Sequence, residues 1–96
     1  LQVPLRLPSL PVAQEATLRS ANGVATSVRF DNRTDRELSV YWVNSSGQRQ
    51  LYGQVRPGES FDQQTYATHV WVLTDREGRA VALTVAQPQA GVLTVK

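Results

Sequence analysis

The chain has 96 residues, no cysteine and one histidine. Without thiols there can be no disulfide, thiolate metal site or sulfur nucleophile, and since a cysteine-free domain suits oxidising and reducing locations alike, the compartment stays open. A lone imidazole with dispersed carboxylates does not make a transition-metal ligand set. No metal or other cofactor is expected. No apolar run approaches the roughly 18 residues of a membrane-spanning helix, so no membrane partner is expected. Net charge is only +2, and the ten basic residues are scattered rather than gathered into a phosphate-tracking stripe, which argues against nucleic acid. Asp62, Thr65 and His69 could be drawn as a hydrolytic triad, but these are common residue types and no G-x-S-x-G nucleophile motif accompanies them. The expectation is a domain that is not an enzyme.

What is present divides unevenly along the chain. Residues 1–20 carry prolines 4, 8 and 11 with leucines between them. Proline fixes φ and removes a backbone donor, so an extended or polyproline-II arm or linker is expected there, without a helical start. Its leucines either tether an upstream segment or pack on the domain or on a neighbouring copy, which leaves self-association through the arm open. A start at Leu1 rather than methionine is expected of a processed or excised chain.

Residues 21–96 read as one domain with a single modest core. Short alternating or apolar runs at 24–30, 38–43, 50–54, 59–66, 69–74, 80–86 and 92–96 are separated by turn signals such as Asn44-Ser45-Ser46-Gly47 and Arg56-Pro57-Gly58-Glu59. Helical periodicity is absent. The pattern predicts an all-β, seven-stranded antiparallel sandwich, with 59–66, poor in large aliphatic residues, as an exposed edge strand.

Both tryptophans, Tyr52, Tyr66 and the only histidine lie between residues 42 and 71. Along 69–74 the alternation puts His69, Trp71 and Leu73 on one face and Val70, Val72 and Thr74 on the other. With the valines taken as core, an imidazole and an indole remain side by side near Thr65. Aromatic walls around one or two polar groups suit a small ligand pocket. The plainer alternative is that Trp42 and Trp71 are core residues and His69 an ordinary strand residue. A structural or assembly domain is therefore weighed beside a recognition module, as is a carbohydrate-binding sandwich with Trp and Tyr as stacking platforms.

Residues 28–75 further resemble the von Hippel-Lindau (VHL) β-domain family. The resemblance is carried by Phe30-x-Asn32-Arg33, Trp42-x-Asn44, Gly47, Tyr52, Pro57-Gly58 and Tyr66-x-x-His69-x-Trp71, followed by Asp75. It implies a seven-strand sandwich that binds a prolyl-hydroxylated peptide, in animals that of the hypoxia-inducible factor α subunit, with the hydroxyproline ring in a pocket. Carried over by position, Trp42, Tyr52 and Trp71 form the walls, while His69 and Thr65 bond the ligand hydroxyl. Tyr66 and Asn32 match neighbouring peptide-contacting positions. Thr65 stands where the family has a serine, and Gln64 replaces a histidine that touches the peptide. The helical domain that recruits elongin has no counterpart in these 96 residues, so no elongin-type partner is expected. The partner implied is a protein or peptide containing proline or hydroxyproline.

Overall fold

The computed structural model describes residues 5–96; Pro4, counted above with the arm, lies outside the described residues. The strands are β1 (Leu5–Arg6), β2 (Ala25–Asn32), β3 (Leu38–Val43), β4 (Arg49–Val55), β5 (Ser60–Tyr66), β6 (Val70–Thr74), β7 (Ala80–Val85) and β8 (Gly91–Val95). They form two four-stranded sheets, ordered β1-β8-β2-β5 and β4-β3-β6-β7. The sandwich is thus present, but with eight strands rather than seven. The additional one lies in the arm, where the Leu5 and Leu7 amides donate to the carbonyls of Ala90 and Val92 at 2.8 and 2.9 Å. Those bonds satisfy the outer edge of β8, which only tertiary structure creates. The first sheet is also not purely antiparallel, since β8 runs parallel to both β1 and β2. Leaving one sheet at the end of β7 and entering the other beside β2, the chain arrives pointing the same way as β2.

The arm contains a 3-10 helix at Val12–Thr17, against the expectation of extended chain alone. Pro11 precedes it as N-cap with φ −55°, an angle already close to helical, and a proline at a helix start costs no hydrogen bond. Leu7 is buried in the main core, and Leu10 and Leu18 pack on a second apolar cluster made by Val43, Val70, Val72 and Leu83. Hence both faces of β6 are buried. Val70 and Val72 face the arm, whereas Trp71 and Leu73 face the space between the sheets with Phe30, Val40 and Leu93. The valines are core, as expected, but Trp71 on the opposite face is core as well.

Polar contacts hold the arm down. Arg49 clasps Glu15 through two bonds of 2.7 Å and donates to the Gly78 carbonyl at 2.6 Å. Ser20 Oγ donates to the Val43 carbonyl and accepts from the Val70 amide, tying the ends of β3 and β6 together. The Leu10 amide donates to Leu83 of β7 at 2.7 Å. With β8 and β7 thus covered, the long edges left without a strand neighbour among the described residues are β4 and β5. The expected edge strand 59–66 corresponds to β5.

Candidate functional site

Where β4 and β5 diverge, at the end of the sandwich carrying the β5–β6 turn, a cleft of about 130 Å³ opens between the sheets. Three elements supply its walls. Trp42 of β3 and Trp71 of β6 are directly paired across the second sheet, so both indoles project to the inner side. Tyr52 reaches the same side through an irregularity: Val40 pairs with Gly53 but Tyr41 with Leu51, which leaves Tyr52 as the extra residue of a β-bulge. A bulge breaks the alternation of side chains and turns two successive residues to one face. Tyr52 thereby meets Trp71 edge-on at 5.1 Å between centroids and Trp42 at 6.3 Å. Gly53 is what allows it, because a β-carbon there would sit 2.9 Å from the Phe61 ring.

His69 is delivered by a strained turn. Thr68 has φ +76°, a conformation β-branched residues rarely adopt. It is fixed by its amide on the Ala86 carbonyl and by its hydroxyl on the Ala21 carbonyl, at 2.8 and 2.9 Å. Gly23 lies so close that a β-carbon would strike the Ala67 carbonyl. The imidazole stacks on Trp42 at 5.4 Å and 28°, with Tyr66 at 5.4 Å on its other flank. His69 is half-buried, and this desolvation holds its pKa below the usual 6.5. The ring is therefore neutral near pH 7. Neither ring nitrogen has a hydrogen-bond partner among the described residues.

The polar floor is Thr65. It is buried, and its Oγ1 accepts the Trp71 indole N–H at 3.0 Å. With one lone pair occupied, the hydroxyl keeps its proton and a second lone pair for another partner. Two further buried polar atoms near this end lack a protein partner: Oγ1 of Thr26, cross-strand from Thr65, and Nε1 of Trp42.

Trp42, Tyr52, Thr65, Tyr66, His69 and Trp71 thus line one cleft, together with Gln64. Trp71 is only 2% exposed and serves the core as well, while Tyr52 and Tyr66 are 47% and 51% exposed at the rim. Asn32 is the exception and corrects the expectation for that position. Fully buried at the opposite end of β2, it donates to the carbonyls of Arg36 and Val55 and accepts from the amide and hydroxyl of Thr34. No hydrogen-bonding capacity remains for a ligand; its work is to pin the β2–β3 turn. The residues that sequence reasoning passed over are Gly53 and Thr26. A glycine inside a strand is itself a signal of a bulge or close approach, whereas nothing in the sequence marks Thr26.

The cleft is not the largest hollow. One of about 490 Å³ lies between the loops bearing Asp35, Arg36, Glu37, Asp75, Arg76 and Glu77. Its walls are charged side chains that water solvates at no cost, whereas the aromatic cleft presents apolar surface that a ligand would cover. At 130 Å³ it is below the roughly 300–1,000 Å³ of drug-sized pockets, a scale that suits one side chain.

The sequence model of one protein family, described as the VHL beta domain, matches residues 18–91. No curated protein matches the chain.

Proposed function

Since this chain belongs to the VHL beta domain family, a family of protein-binding modules, we propose that its aromatic cleft binds a hydroxyproline side chain within an extended peptide. The observation that carries the reading is the pairing of Thr65 with His69 inside otherwise aromatic walls. Because the Trp71 indole already donates to Thr65 Oγ1, the threonine proton is available to a ligand oxygen, while the neutral imidazole can accept a ligand proton. One donor and one acceptor side by side complement a hydroxyl group. Unmodified proline would leave both unpaired, at about 1–3 kcal/mol each, which corresponds to roughly 10²-fold discrimination. The three aromatic rings would hold either ring and would not discriminate.

The β5 edge supports the extended backbone. The Ala67 amide and the Glu59 carbonyl both bond to the β2 side, so with unbroken register the odd-numbered residues of β5 point their backbone groups at β2. Ser60, Asp62 and Gln64 point theirs outward. In an antiparallel addition the peptide residue facing Thr65 makes no backbone bond to β5. An imino acid, which has no N–H, can sit there without loss.

Calorimetry with matched peptides containing proline or 4-hydroxyproline tests this. The expected result is hydroxyproline preferred by roughly 10²-fold. Equal affinities would refute it.

A further inference from the structure

The cleft opens onto an end of the sandwich that has no fixed charge. Loops meet there at 20–24, 44–48, 67–69 and 86–90, bound to one another by the bonds of Ser20, Ala67, Thr68 and Ala86. None of these segments contains Asp, Glu, Lys or Arg, and neither does the cleft lining. Titration at this end is confined to His69, which is neutral at pH 7. The opposite end is the reverse, with both signs in every hairpin loop, as in Arg36, Glu37, Arg56, Glu59, Asp75 and Arg76. Along β5 the nearest formal charge is Asp62, which is closed on itself by Arg29 at 2.7 Å and so offers no net field. The rim is apolar and exposed: Val24 is 60% accessible, Tyr66 51% and Tyr52 47%.

We infer that the partner segment recognised here is itself uncharged, a run of small, apolar or amide side chains on both sides of the hydroxylated ring. This rests on the pocket reading above and narrows the class of ligand. A charged residue brought against this surface would lose water and meet no counter-ion, which is costly. At physiological salt the screening length is about 8 Å and an extended chain advances about 3.3 Å per residue, so the restriction covers roughly two residues on either side of the ring. Charge steering contributes nothing to such an encounter, and affinity should be nearly independent of ionic strength.

The test uses short capped hydroxyproline peptides whose two residues on each side are neutral, acidic or basic, titrated into the protein at about 20 and about 300 mM NaCl. The neutral peptide should bind tightest, its Kd moving less than about twofold with salt, and each charged peptide should bind at least about fivefold more weakly. In Gln64→Lys, which places a cation in the lining, the acidic peptide should overtake the neutral one at low salt and lose that advantage at high salt. A charged peptide that outbinds the neutral one on the unaltered protein, or an unchanged ranking in Gln64→Lys, overturns the inference. If hydroxyproline and proline versions bind equally, the pocket reading has failed instead. A hydroxyproline preference combined with a charged-flank preference sinks only the inference made here.

Discussion

Replacing Thr65 by valine removes one hydroxyl and little volume, and it separates two consequences that the geometry ties together. The Trp71 indole N–H, paired at 3.0 Å with Thr65 and attached to a side chain that is 2% exposed, would lose its acceptor. An orphaned buried donor costs about 1–3 kcal/mol. For a domain of this size each kcal/mol moves Tm by about 4–8 °C, so a fall of roughly 4–24 °C is expected, and the observed value should lie in the lower half because valine fills the space. Melting is read by circular dichroism, with tryptophan emission as a local reporter of Trp71. The binding consequence is independent in sign: valine offers no donor, so the hydroxyproline preference should drop by about tenfold or more while proline affinity holds. Thr65→Ser keeps the hydroxyl and should retain most of both. A Thr65→Val protein that melts with the parent would refute the indole bond as a structural element. An unchanged preference between the two peptides would remove Thr65 from recognition.

Other expectations follow from the same contacts. Burial lowers the His69 pKa, so the unfolded chain binds more protons between the folded pKa and 6.5; the histidine's contribution to stability is complete above 6.5 and is lost as pH falls through that window. Peptide affinity should decline over the same range, because the charged ring can no longer accept; a flat binding profile down to pH 5 would speak against His69. Ser20→Ala strands the Val43 carbonyl and the Val70 amide, both buried, and should cost about 1–3 kcal/mol in urea melts without altering peptide selectivity. Gly53→Ala drives a β-carbon into the Phe61 ring at 2.9 Å. Both stability and binding should suffer through displacement of Tyr52, and a variant with parental affinity would show that the bulge is not what aims that side chain.

Much of this architecture was legible in the residues. The run 38–43 coincides with β3, and the weakly apolar 59–66 is β5, an edge, because strands with few aliphatic side chains cannot be covered on both faces. Legibility ended where a partner from elsewhere in the chain decides. Leu5–Arg6 has no strand pattern of its own and pairs only because β8 offers it an edge. The unbroken apolar run of β6 meant two covered faces rather than one, a signature of buried strands that simple alternation conceals. In the cleft, the identities of Trp42, Tyr52 and Trp71 were readable, but the reason Tyr52 faces inward was not, since a bulge depends on register with a neighbour. Asn32 shows the converse difficulty: an amide that caps a turn and one that grips a ligand look alike until their bonds are traced.

The bonds from Leu5 and Leu7 to Ala90 and Val92 also govern when the domain can exist during its synthesis. The first segment to leave the ribosome waits for the last strand, and β2 likewise waits for β8. Hairpins of the second sheet can form early from near neighbours, whereas the first sheet must close a loop spanning almost the whole polypeptide, a slow step that topology imposes. Until residues 91–95 are made, β2 and its partner β5 present an unfinished edge, and the nascent chain is most open to wrong pairings in that interval.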